Sequence, residues 1–143
     1  MLSTLALEAN SLSIHLVRWA RRADADLGVP PARLSALSVL VFGGERTITA
    51  LADAEQVSLP TISRVVDGLV GAGLATRAQN PDDARSVVIR ATVKGRRVMH
   101  RGRAQRVERY TRLLEQLTER DQATVERALR LLRHALTEVA AAD

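Results

Sequence analysis

A mainly α-helical fold carrying one small β-hairpin is what this sequence predicts, on three observations. Aromatic residues are only 2% of the chain against a hydrophobic share of 46%, so burial falls to Leu, Val, Ile and Ala, which suit helix packing better than an all-β sandwich. Apolar residues recur at helical spacing through most of the chain. The helical pattern gives way between Leu74 and Ala91, where "LATRA" and "SVVIRA" read as two short strands joined by the turn formers of "QNPDDAR". With 143 residues, there is room for one compact domain or a small domain with a helical extension, and not for a second independent core.

Each element has its own local signal. Leu12, Leu16, Trp19 and Ala23 repeat at helical spacing, which predicts a first helix from about Thr4 to Asp26, broken by "GVPPAR". Pro31 opens a second helix lined by Leu34, Leu37, Leu40 and Val41, and "GGE" closes it at Gly43 to Glu45. Thr47 can cap a short third helix, "ITALADAEQ", with Ile48, Leu51 and Ala52 inward. After a turn at Gln56 and Val57, Ser58 is the N-cap of a fourth helix, and Pro60 sits in its first turn, where a missing N–H costs nothing. Ile62, Val65, Val66, Leu69 and Val70 form its apolar face, while Thr61, Ser63, Arg64 and Asp67 give it a polar one. Gly73 and Leu74 supply a Schellman-type stop. Thr92 then caps a long fifth helix from Val93 to about Leu117, with Val107, Tyr110, Leu114 and Leu117 on one side. "TERD", Thr118 to Asp121, matches a capping box and starts a sixth helix, whose Val125, Leu129, Leu132, Leu136 and Val139 repeat at near-heptad spacing, the pattern of a helix lying along a partner.

Composition excludes several kinds of function. Without cysteine there is no disulfide, thiol nucleophile or thiolate zinc site. His15, His100 and His134 stand alone, with no companion at i+3 or i+4 for a metal pair or a nucleophile–base arrangement, so no enzyme, metal or cofactor is expected. "GG" and "GAG" lack the spacing of a phosphate cradle. The N-terminus places its charges after its apolar residues, the reverse of a secretory signal, and no stretch is long enough to span a bilayer, so a cytoplasmic protein with no membrane partner is expected. The formal charge is +5, and its distribution says more: Arg46 to Arg112 holds thirteen basic residues, including the only lysine, Lys94, against six acidic ones, while the remainder nearly cancels. A basic middle suits an anion, with nucleic acid the usual candidate.

A short helix, a tight turn, a second amphipathic helix and a hairpin make a winged helix-turn-helix. At this point the chain resembles the MarR family of bacterial winged-helix transcriptional regulators over nearly its whole length. The matches are "SLPTISRVVDGLVGAGLATR" at Ser58 to Arg77, "DAR" at Asp83 to Arg85 and "TVKG" at Thr92 to Gly95, with Ala91 standing where the family usually has leucine. The resemblance implies three regions: an N-terminal dimerisation helix (1–30), a winged helix-turn-helix domain (31–92) and C-terminal dimerisation helices (93–143). It implies a homodimer that presents two lobes to a pseudo-palindromic site on double-stranded DNA; a repressor is the expected role, although the sequence does not name the sign of regulation. The apolar stripes of the terminal helices exceed what one small lobe can cover, which points to self-association independently.

In such a docking the N-terminal half of the fourth helix meets the major groove, which makes Ser58, Pro60, Thr61, Ser63 and Arg64 the candidate DNA-binding residues. Arg64 suits guanine bidentately, and Thr61 and Ser63 suit a phosphate or a thymine methyl; the bland alternative pairs Arg64 with Asp67 one turn on. The resemblance further implies that Arg85 enters the minor groove from the wing tip and that Asp83 holds the wing in shape. Lys94, Arg96 and Arg97 are additional candidates for phosphate. Relatives often bind a small phenolic or aromatic anion as effector, for which His15, Arg18 and Trp19 could line a crevice; dimer packing accounts equally well for the same three residues. The rival of another class is a winged-helix adaptor that binds proteins without specific DNA binding.

Overall fold

The structure, a computed structural model, describes residues 1–142. The elements run α1 (Leu2–Arg21), a 3-10 helix (Arg22–Leu27), α2 (Pro31–Gly43), β1 (Arg46–Thr47), α3 (Ile48–Glu55), α4 (Leu59–Gly71), β2 (Ala75–Gln79), β3 (Val87–Ala91), α5 (Val93–Leu114) and α6 (Glu119–Ala142). Two compact units divide the chain, one of Met1–Arg106 and one beginning at Val107, so the division falls within α5.

The first helix is shorter than its periodicity suggests. After Arg21 the backbone tightens into 3-10 winding and stops at Gly28, whose N–H bonds the Ala25 carbonyl in an i to i−3 bond (3.4 Å). Gly28, at φ 65°, ends the winding in the left-handed conformation, and Ala23 and Leu27 still reach the core. Arg106 of α5 closes an ion pair on Asp24 over this segment.

The core of the first unit gathers Leu34, Leu37 and Leu40 of α2, Leu51 of α3, Ile62, Val66 and Leu69 of α4, Ile89 of β3 and Met99 of α5. Aliphatic stripes from four helices therefore meet over one small sheet. That sheet has three strands, not the two of a simple hairpin: the order is β1-β3-β2, all antiparallel, with Arg46 opposite Ile89 and Arg77 opposite Ile89 from the other side. The third strand is only two residues long, too short for a period-two pattern to be visible in sequence, and the Arg90–Glu45 ion pair holds its leading edge.

In the second unit α6 begins where Thr118 caps it. The Thr118 hydroxyl accepts the Asp121 N–H (3.2 Å) and donates to the Asp121 carboxylate (2.7 Å). α5 ends at Leu114, one turn before the expected Leu117, and the Gln122 amide closes the gap by donating to the Leu114 and Leu117 carbonyls (3.0 and 3.2 Å).

Candidate nucleic-acid interface

Capping chemistry on both sides of the turn fixes the helix pair α3–α4. Thr47 accepts the Ala50 N–H (3.2 Å) at the start of α3, and Gln56 ends that helix in the left-handed conformation (φ 53°). Two residues later Ser58 accepts the Thr61 N–H (3.4 Å), so α4 starts where Pro60 and the cap dictate. The other end of α4 closes in a Schellman motif. The Leu74 N–H bonds the Leu69 carbonyl and the Gly73 N–H bonds the Val70 carbonyl (both 2.9 Å), with Gly73 at φ 71°.

The "TVKG" stretch fastens α5 onto that end. The Thr92 hydroxyl donates to the Gly73 carbonyl (2.7 Å) and accepts the Gly95 N–H (3.0 Å), while the Thr92 N–H bonds the Leu74 carbonyl (3.0 Å). Gly95 lies so close to the Leu74 carbonyl that any side chain there would collide with backbone. Lys94 donates to the Ala72 carbonyl (2.9 Å), neutralising the C-terminal end of α4. Two of the three cations offered to phosphate on sequence grounds are thus engaged within the fold, since Arg96 also donates to the Ala91 carbonyl (2.9 Å). Arg97 is exposed and has no such bond among the described residues.

On the outer side of α4, Ser58, Pro60, Thr61 and Arg64 are exposed and Ser63 is half-buried. The Ser58 and Thr61 hydroxyls bond each other (2.9 Å). The alternative partner for Arg64 is taken: Asp67 accepts from Arg77 of β2 (2.5 Å), which leaves the Arg64 guanidinium without an ion pair among the described residues. Sequence spacing could not reveal that choice, because Arg77 reaches Asp67 only after the Gly73 turn folds β2 back along the helix.

The wing tip is organised by its own polar side chains. The Asp83 carboxylate accepts the Arg85 N–H (2.9 Å), and its carbonyl accepts from the Ser86 N–H (3.0 Å). Asn80 bridges the loop, donating to the Ser86 hydroxyl (2.8 Å) and accepting the Asp82 N–H (3.1 Å), and Gln79 donates to the Ala84 carbonyl (3.2 Å). These contributions of Gln79, Asn80 and Ser86 are absent from the sequence reading, although an Asn at the head of a Pro-Asp turn is the signal that could have found the first of them. Arg85 extends from this tip with its side chain exposed and unpaired among the described residues. Arg64 and Arg85 therefore sit on separate elements of the same unit, while Asp67 and Asp83 are both turned onto internal partners.

His15, Arg18 and Trp19 share one face of α1 at i, i+3 and i+4; His15 and Arg18 are exposed and Trp19 is half-buried. A trough of about 480 Å³ occurs elsewhere, on α6, where Glu126, Leu129, Arg130, Arg133, His134 and Thr137 line it. With walls from a single helix it is open surface. Among the described residues no three His, Cys, Asp or Glu cluster to hold a metal, and no single helix is long and apolar enough to cross a membrane.

Comparison with known proteins agrees with this geometry. The pattern that defines the MarR family matches residues 27–86. An HTH-type transcriptional regulator of Mycobacterium bovis is 32% identical over 111 residues, which is 76% of this chain and 78% of the relative. Among solved structures, a transcriptional regulator of Thermotoga maritima superposes with a TM-score of 0.85 at 20% identity, covering 95% of this chain and 96% of the other. A mutant of the Staphylococcus aureus regulator MepR, bound to an oligodeoxyribonucleotide, superposes with a TM-score of 0.71 at 20% identity, covering 92% and 97%.

Proposed function

The chain belongs to the MarR family of transcriptional regulators, DNA-binding winged-helix proteins and not enzymes, and on that premise we propose that it is a homodimeric cytoplasmic repressor of a pseudo-palindromic operator. The observation that carries this reading is the pair of exposed arginines, Arg64 and Arg85, without internal partners among the described residues while Asp67 and Asp83 are satisfied inside the fold. Arginine is the side chain that grips guanine bidentately in the major groove and gains most from the deep potential of a narrow minor groove. In this reading Arg64 takes a guanine, Ser58, Pro60, Thr61 and Ser63 border the same groove, and Arg85 enters the minor groove from a wing tip that Asp83 holds rigid. The bound MepR mutant, which shares this fold, supports the docking.

Dimerisation is supported by α1 and α6, which expose Leu2, Leu5, Leu12, Leu132, Leu136 and Val139. Apolar faces of that extent are covered by a second copy at least cost when the same patch serves both partners. Two-fold symmetry then sets the half-sites about one helical turn, roughly 10 base pairs, apart. An aromatic anion bound beside His15, Arg18 and Trp19 would shift the spacing of the two lobes and release the operator.

The test is binding of the purified protein to the DNA upstream of its own gene, repeated across salt and with phenolic acids added. Affinity falls steeply with salt, each phosphate contact adding about 0.9 to the log–log slope, because arginines displace condensed counterions. A flat salt dependence would overturn the reading in favour of a protein-binding adaptor.

A further inference from the structure

Resting on α4 as the recognition helix, we propose that this protein identifies A·T pairs in its half-site through the C5-methyl groups of thymine. Leu59 and the methyl of Thr61 make those contacts, beside the guanine taken by Arg64.

The inference follows from what α4 has available. An adenine is read directly in the major groove by the amide of Asn or Gln, and a cytosine by a carboxylate. From Leu59 to Gly71 there is no Asn, Gln or Glu, and the one carboxylate, Asp67, is held by Arg77. The nearest amide in sequence, Gln56, belongs to the C-cap of α3, and those of Gln79 and Asn80 are occupied in the wing. Hydroxyls discriminate poorly, since they donate and accept alike. Two of them are also engaged: the Thr61 and Ser58 hydroxyls bond each other (2.9 Å), and Ser58 already accepts the Thr61 N–H, while Ser63 is half-buried. With its hydroxyl turned back onto the cap, Thr61 has its methyl left to offer.

Leu59 supplies the second apolar group. It is the first residue of α4 and remains 50% exposed, whereas Ile62, one turn of the same helix inward, is 1% exposed. Val57, just before the cap, is also 39% exposed. A leucine at the leading end of a recognition helix, flanked by Pro60 with no N–H to give, is suited to the thymine methyl, the one apolar feature of the major-groove edge. The alphabet of α4 is therefore guanine through Arg64 and methyl-bearing pyrimidine through Leu59 and Thr61.

The experiment uses a duplex that the purified full-length protein selects from a random-sequence library. That duplex is resynthesised with single thymines replaced by deoxyuridine, which removes only the methyl, and Kd is measured at fixed salt. We expect one or two positions in each half-site to lose about fourfold, the equivalent of one buried methyl group. At those positions 5-methylcytosine binds better than cytosine by the same factor. In Leu59→Ala and Thr61→Ser, each of which keeps the cap hydroxyl of Ser58, the penalty for losing a methyl falls below about twofold at the corresponding position. Unchanged melting of both variants excludes misfolding as the cause. A selected duplex indifferent to every methyl, a methyl penalty that persists in both variants, or loss of an adenine preference in Gln56→Ala instead would overturn this inference and leave the DNA-binding reading standing. Failure to enrich any duplex would overturn both.

Discussion

In α4 the apolar stripe of Ile62, Val66 and Leu69 is buried to within 1%, whereas in α6 Leu129, Leu132, Leu136 and Val139 are each more than half exposed. Both helices are amphipathic by sequence, both start at a hydroxyl cap, Ser58 or Thr118, and both run for several turns. What differs is the neighbour. α4 is short and sits among α2, α3 and the sheet, so its stripe meets Leu37, Leu51 and Ile89 from the same chain. Among the described residues of its own unit, α6 presents its stripe to no such set. Periodicity thus reports which face of a helix is apolar and says nothing about what covers it.

The comparison breaks most visibly if the α6 stripe is removed. Deleting residues 118–143 is expected to give a monomer in sedimentation and to lower operator affinity roughly 10²–10⁴-fold, because the two half-sites are then bound independently rather than as one linked pair. A truncated chain that remains dimeric would show that α6 is not the association surface. The α4 stripe should respond differently. Leu69→Ala removes a fully buried side chain and is expected to cost about 2–5 kcal/mol in denaturant unfolding, whatever the protein concentration. Leu136→Ala should instead make the melting temperature more dependent on protein concentration, since in the proposed dimer its partner lies on another chain.

The outer face of α4 sharpens the contrast within a single helix. Arg64→Ala should leave melting unchanged while costing about 1–3 kcal/mol per half-site on the preferred operator and relaxing one base position. Arg85→Ala should weaken sites with A·T-rich flanks most, with only partial rescue by lysine, whose ammonium loses more hydration on entering a narrow groove. Equal losses for both variants on every sequence would reduce both residues to phosphate contacts. The smallest effect belongs to Lys94. Its bond to the Ala72 carbonyl predicts that Lys94→Met lowers stability by about 0.5–1.5 kcal/mol and leaves the salt slope of DNA binding unaltered. A slope that falls by about one would return Lys94 to the phosphate contacts.

The helix-turn-helix was legible because its boundaries are set by neighbours in sequence. Thr47, Ser58, Pro60 and Gly73 each act within one turn of the chain, and the structure shows each cap where the local chemistry predicts it. The wing was legible as two strands and a turn for the same reason. β1 was not, because two residues carry no period and Arg46 and Thr47 become a strand only by pairing with Ile89 and Val88. The end of α1 was misplaced because the apolar spacing continues through Ala23 while the backbone changes to 3-10 winding before the Val29–Pro30 step.

The site divides along the same line. Sequence by itself determined that the chain is mainly helical, that a capped amphipathic helix with an arginine on its outer face follows a short helix and turn, and that an Asp-Ala-Arg tip closes a hairpin. Those features rest on backbone propensities and hydrogen bonds between residues at most a few positions apart. Only the tertiary structure decided which charges are free. Asp67 chooses Arg77 over Arg64, Lys94 turns to the end of α4, and Asp24 meets Arg106 across the 3-10 segment. Each choice depends on which side chains the folded backbone brings within a few ångströms, and an ion pair, unlike a helix cap, has no fixed spacing in sequence.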